Sequence, residues 1–123
     1  MPEQKKQEEK MPPWIKADST NFYLEGILHG SLYKYEPEPN MPDMLIAAVR
    51  AQSDPVKRLI YVHFRGPDEA MREVAVSLEQ YVGKPIKIKV DKAQAYRTSM
   101  SLECESLVEI AGFTTPISVR KFK

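Results

Sequence analysis

The chain has 123 residues, 42% hydrophobic and 28% charged, with a formal net charge of +1. This balance predicts one soluble globular domain that buries its core without disulfides, and it excludes a strongly cationic, histone-like binder. No apolar run reaches the roughly 18 residues of a membrane helix, and a single cysteine, Cys104, excludes an internal disulfide and a cysteine-based zinc site; a reducing, cytoplasmic location away from membranes is expected.

Residues 1–18 are polar, proline-broken and balanced in charge, without a secretory apolar stretch, and predict a flexible N-terminal arm ahead of a domain spanning 19–123. Trp14 and Ile15 are the apolar exceptions, expected to pin the arm's end to the body. NFYLEGILHGSLYKY, 21–35, is rich in β-branched, leucine and aromatic residues. Its two glycines would weaken a helix by roughly 1 kcal/mol each, whereas in a strand they mark bends, so a long coiled first strand is predicted.

EPEPNMPD, 36–43, carries three prolines and predicts a loop. MLIAAVRAQ, 44–52, fits helix or strand, with strand favoured as hairpin partner of the next segment. The turn signal SDP at 53–55 leads into RLIYVHF, 58–64, a strand by its composition. Gly66-Pro67-Asp68-Glu69 then starts a helix, with proline at the first helical position and acids beside the positive helix end. Met71, Val74, Ala75, Leu78 and Val82 form its apolar face, Gly83 is its expected C′ residue, and Pro85 stops it. PIKIKV alternates with period two, placing Ile86, Ile88 and Val90 on one face and Lys87 and Lys89 on the other. SLECESLVEI, 101–110, predicts one unbroken strand, with Leu102, Cys104, Val108 and Ile110 inward and Glu103, Glu105 and Glu109 outward.

The predicted order is strand, strand, strand, helix, strand, strand. It belongs to a mainly β protein and is the order of the OB-fold, a five-stranded, partly open Greek-key barrel whose helix lies between strands 3 and 4. A different β-barrel or an α+β fold stays open while 44–52 can be helical.

RLIYVHFRGPDEAMREVAVSLEQYVGKPIKIKVDKAQAYRT, 58–98, resembles the third strand, helix and fourth strand of bacterial single-stranded DNA-binding proteins and their primosomal relatives. The resemblance is carried by the aromatic-ended strand, by Glu79-Gln80-Tyr81-Val82-Gly83-Lys84-Pro85-Ile86 at the entry to the next strand, and by Tyr96-Arg97-Thr98 in the following hairpin. It implies an OB-fold and a role with single-stranded DNA in replication, recombination or repair.

The charges segregate in a way that suits that role. Residues 84–97 carry Lys84, Lys87, Lys89, Lys92 and Arg97 against Asp91; residues 50–65 carry Arg50, Lys57, Arg58 and Arg65 against Asp54; the tail adds Arg120, Lys121 and Lys123. A basic groove can follow phosphates while aromatic rings stack on bases. The candidate binding residues are Arg58, Tyr61, His63 and Arg65 around the third strand, Lys87 and Lys89 on the fourth, Lys92, Tyr96 and Arg97 in the hairpin, and Tyr33 at the end of the first. The outward glutamates of the last strand oppose phosphate on whichever side they occupy.

No phosphate loop, zinc-protease motif or nucleophile elbow occurs, and the only other histidine besides His63 is His29. Cys104 reads as a core thiol. A non-enzyme without cofactor or metal is expected, binding single-stranded nucleic acid, DNA rather than RNA. The rival expectation is an OB-fold interaction subunit that docks a protein partner or a second copy of itself.

Overall fold

A single long strand organises the molecule. The computed structural model describes residues 11–18, 20–35, 38–40 and 43–114; the first ten residues of the expected arm, parts of the 36–43 loop and the basic tail Arg120, Lys121 and Lys123 lie outside them. In chain order the elements are β1 (Lys16–Asp18), β2 (Asn21–Lys34), β3 (Met44–Ala51), β4 (Leu59–Arg65), α1 (Asp68–Gln80), β5 (Pro85–Val90), α2 (Lys92–Ala95), β6 (Ser99–Glu103), a 3-10 turn (Cys104–Ser106), β7 (Leu107–Ile110) and β8 (Phe113–Thr114). The protein is mainly β, and its strands form one strongly curled sheet. Residues 44–52, ambiguous in sequence, are a strand because β4 and β2 flank them and Leu45, Ala47, Val49 and Ala51 alternate into the core.

The sheet runs β6-β4-β3-β2-β5-β7-β8, with β1 added to β2. Its middle is antiparallel, but β4 and β6 are parallel, Tyr61 opposite Ser99 and Arg65 opposite Glu103. β6 and β7 lie at opposite sides of this path although only Cys104–Ser106 separates them in sequence. One short stretch of chain therefore pairs with β4 through its first half and with β5 through its second, which requires the sheet to curl.

That turn corrects one expectation. The predicted unbroken strand 101–110 is two strands, and the 3-10 turn resets the alternation, so Leu107 and Ile110 point inward with Leu102 and Cys104, while Val108 is only half-buried. The number of strands also exceeds the expected five, because β1 and β8 add short edges.

The helix fills the curl. Ala70, Met71, Val74, Ala75 and Leu78 are buried against β2, β3 and the 3-10 turn, joining Leu24, Leu28, Ile60, Ile88, Met100 and Leu107 in one core. Two details differ from expectation. Pro67 is the N-cap rather than the first helical residue, and the helix ends at Gln80 with Tyr81 as C-cap, which leaves Val82 exposed and Gly83 one position beyond C′. Gly83, at φ 90°, turns the chain so that its N–H reaches the Leu28 carbonyl at 2.7 Å and the Leu28 N–H reaches that of Lys84 at 2.9 Å. The exit from α1 is thus stapled to β2, and β5 starts in register.

The end of the expected arm is joined to the body. Trp14 and Ile15 are buried, β1 pairs with β2, and the Trp14 indole N–H donates to the Ala95 carbonyl at 3.0 Å. The Ser53 hydroxyl holds the Pro13 carbonyl at 2.7 Å. The Trp14 ring also meets the guanidinium of Arg58, the residue before β4, at 4.7 Å.

Gly26 and Gly30 on β2 have different reasons to exist. A Cβ on Gly26 would sit 2.2 Å from the Arg50 carbonyl oxygen, whereas one on Gly30 meets nothing within 4 Å. Gly26→Ala is expected to cost about 2–3 kcal/mol of unfolding free energy as an overpacked site. Gly30→Ala should be neutral or stabilise by about 0.5 kcal/mol through the unfolded chain. Urea denaturation of the two variants checks both.

Candidate functional site

The strand pairings sort the outward side chains into rows. On the face made by the second half of β2 with β3, β4 and β6, one row runs Gly30, Ala48, Tyr61, Ser99, and the next runs Leu32, Ile46, His63, Ser101. Ile60, Val62 and Phe64 point inward, so Tyr61 and His63 point out as expected. Tyr61 is 45% exposed, and its lateral neighbours are an alanine, a serine and, one strand further, a glycine. Small neighbours on both sides leave part of the phenol ring open to solvent.

The segment 91–98 is clipped to this surface. Asp91 caps α2 by accepting from the Gln94 N–H at 2.8 Å, the Gln94 side chain accepts from the Ser101 N–H at 3.0 Å, and the Tyr61 N–H donates to the Thr98 carbonyl at 2.9 Å. Lys92, Tyr96 and Arg97 are exposed on this segment, Tyr96 by 41%. Neither Lys92 nor Arg97 has an ion-pair partner among the described residues. The structure thus brings Tyr61, Tyr96, Lys92 and Arg97 to one end of β4.

It takes Lys87 and Lys89 elsewhere. They lie on the outer face of β5, with β2 and β3 between them and β4. Lys89 faces Tyr23 across β2, and Lys87 sits between Glu25 on β2 and Glu109 on β7. Sequence reasoning missed Tyr23 and Lys16, which flanks Tyr23 from β1. Tyr23 alternates outward with Glu25 and Ile27 along the first strand, and that pattern was available in the sequence; the register that brings the lysines to it was not.

Three other candidates have structural partners. The Arg58 guanidinium pairs with the buried Asp54 carboxylate and lies 4.7 Å over the Trp14 ring. Arg65 pairs with Glu103 at 3.1 Å across the β4–β6 edge. The Tyr33 hydroxyl donates to Asp43 and accepts from the Arg72 guanidinium at 3.3 Å. Burial, and then that bond to the Asp43 carboxylate, push the Tyr33 hydroxyl above its ordinary pKa, so it stays protonated. Cys104 is buried, and desolvation, with the charges of Glu103 and Glu105 behind it, pushes its thiol up to about 12. No described cluster of histidine, cysteine or carboxylate side chains is placed to hold a metal, and no described helix is long and apolar enough to cross a membrane.

Asp54 is the electrostatic anchor of the β3–β4 turn. Burial alone would raise its pKa, but the Val56 and Arg58 N–H groups at 3.1 and 3.4 Å and the Arg58 guanidinium hold it below the ordinary 3.8. A depressed carboxyl stabilises the fold fully above its unfolded value and loses that contribution as pH falls through its folded value. The melting temperature of the wild type should therefore exceed that of Asp54→Asn at neutral pH, with the gap closing in acid below pH 3.8. Thermal melts of both proteins from neutral pH into acid check this.

Compared with family models, with curated proteins and with solved structures, the chain matches none of them.

Proposed function

We propose that the curled sheet is an OB-fold and that its β3–β4 face binds single-stranded nucleic acid, DNA in preference to RNA, as an accessory factor of replication, recombination or repair. On this reading β2, β3, β4, β5 and the bent pair β6–β7 are the five barrel strands, with α1 between the third and fourth. OB-folds hold oligonucleotides on the face of strands 2 and 3 and in the loops joining strands 1–2 and 4–5. Those positions are β3, β4, the 35–43 loop and the 91–98 segment.

The observation that carries the reading is Tyr61, exposed in a row of Gly30, Ala48 and Ser99 and bonded through its N–H to the 91–98 segment, whose exposed Lys92 and Arg97 have no ion pair among the described residues. A flat ring without tall neighbours accepts the face of any base, and stacking of this kind contributes about 1–3 kcal/mol per base. Cations on the adjoining segment meet the phosphates of the same strand. Arg58, Arg65 and Tyr33 hold the scaffold around this surface through Asp54, Glu103 and Asp43.

A second reading, docking of a protein partner, draws on the neighbouring row, where Leu32 is 49% exposed beside Ile46. Anisotropy titration of a labelled oligo-dT at low and moderate salt separates the two. The nucleic-acid reading expects binding that weakens with salt, and an affinity about tenfold lower for Tyr61→Ala. Changing Lys92 and Arg97 together to glutamate should flatten the log–log salt slope by about 1.4, two phosphates at about 0.7 each. Absence of binding at low salt moves the assignment to protein docking, and an unchanged affinity for Tyr61→Ala overturns the stacking role of that ring.

A further inference from the structure

His63 stands in the middle of the face that carries Tyr61. It lies two positions beyond Tyr61 on β4, about 6.6 Å along the strand, and points to the same side. Its lateral neighbours are Ile46 on β3 and Ser101 on β6, with Leu32 one strand beyond Ile46. None of these carries a charge. The imidazole is half-buried and makes no hydrogen bond or ion pair among the described residues. Neither ring nitrogen is engaged by the protein.

The charged groups around His63 come from every strand of the face. Arg65 follows it on β4 and pairs with Glu103 of β6 at 3.1 Å. The outward charge on β3 is Arg50, which donates to the Lys57 carbonyl at 3.0 Å, and on the second half of β2 it is Lys34. Glu103 is thus the one carboxylate among the outward residues of these four strands, and Arg65 neutralises it. The 35–43 loop adds Glu38, which is exposed, and Asp43, which Tyr33 and Arg72 engage. The 91–98 segment brings Lys92, Arg97 and Asp91, the last committed to the α2 cap.

We propose that His63 makes the Tyr61 site proton-dependent: a bound strand draws a proton onto the imidazole, which then meets a phosphate beside the base stacked on Tyr61. The proposal rests on the nucleic-acid reading of Tyr61 and adds regulation to it. Histidine is the side chain whose charge changes between about pH 5 and about pH 8. A neutral His63 leaves its row without charge, whereas an imidazolium puts a cation beside Tyr61. The sign follows from reciprocity: a ligand that prefers the protonated form promotes proton uptake, so its affinity rises as pH falls.

The test titrates the full chain with labelled oligo-dT, by anisotropy, from about pH 7.5 to about pH 5.5. Affinity should rise about fivefold toward the acid end, the scale of one charge pair close to water. The log–log salt slope should steepen by about 0.7, for one added phosphate contact. His63→Gln should match the wild type at the neutral end and lose the rise. His63→Lys should bind at both ends as the wild type binds in acid. His29→Gln, which removes the only other histidine, should keep the rise. Calorimetric titration in two buffers of different ionisation heat should show proton uptake on binding by the wild type and none by His63→Gln. Wild-type binding that is independent of pH, or a rise that survives His63→Gln, overturns the inference and leaves the Tyr61 reading standing. Absence of binding at every pH overturns both.

Discussion

The fold depends on the close approach of two backbones at Gly26. At this residue β2 is paired on both edges, with Ala51 of β3 on one side and Ile86 of β5 on the other. Before it, β2 belongs to β1 and β5; beyond Ile27 its ladder with β5 ends and it continues with β3 alone. A side chain at 26 would force β3 away, because even a Cβ falls 2.2 Å from the Arg50 carbonyl oxygen. α1 lays its apolar face against β2 and β3, and the bonds between Leu28 and the Gly83–Lys84 turn deliver β5 from that helix. A register irregularity between Leu28 and Gly30 then resets which side chains face out. The outward row containing Gly30, Ala48 and Tyr61 follows from it.

Electrostatics divide the basic residues by whether a carboxylate reaches them first. Asp54, buried and held by two backbone N–H groups, pairs with Arg58 and places it on Trp14. A buried carboxylate left alone is costly, so Arg58 is bound to the scaffold whatever ligand approaches. Arg72 is similarly engaged by Asp43 at 3.5 Å and lies over the Tyr35 ring at 5.2 Å; the Tyr33 hydroxyl, first among the causes, raises its pKa further. Lys87 and Lys16 share Glu25 through weaker, exposed contacts. The cations without ion pairs among the described residues include Lys89, Lys92 and Arg97, and of these Lys92 and Arg97 stand near Tyr61. On a chain of formal net charge +1, this selective pairing gives the surface a local sign.

Elements marked by strong local chemistry were legible in the sequence. The helix beginning after Pro67, the β4 strand, and the alternation of Ile86, Ile88 and Val90 depend on caps, composition and period, and they occur where those signals placed them. What was not legible depends on contacts between distant segments. β1 is a three-residue strand whose existence rests on pairing with β2 rather than on its own Lys-Ala-Asp composition. The stretch Leu102–Ile110 keeps an alternating texture through the 3-10 turn, so nothing local announces that Leu107 replaces Val108 in the core. The candidate residues divide the same way. Tyr61 and His63 face outward because parity is local, whereas the separation of Lys87 from Tyr61 and the meeting of Lys16, Tyr23 and Lys89 are matters of register. Asp54 lies four residues before Arg58, a spacing that could have exposed Arg58 as a structural cation.

The acids of β6 and β7 give the Tyr61 surface a direction. Glu103 stands at the far end of the β4–β6 pair, where it meets Arg65, and Tyr61 stands at the near end opposite Ser99. Arg65 therefore contributes little free positive potential, since its partner carboxylate is 3.1 Å away and equally open to solvent. At the near end the 91–98 segment supplies Lys92 and Arg97, and the one carboxylate within it, Asp91, is directed at the Gln94 N–H. The potential along β4 runs from a neutralised end at Arg65 to a cationic end at Arg97, with the exposed ring of Tyr61 beside the cationic end. On the proposed nucleic-acid reading, a strand would place phosphates against Lys92 and Arg97 and a base over Tyr61. A protein partner seeking apolar area would instead centre on Leu32 and Ile46, the adjacent row. The two readings thus place their contacts on adjacent rows of the same face, and salt-dependent retention of an oligonucleotide separates them where burial of the Tyr61 ring alone would not.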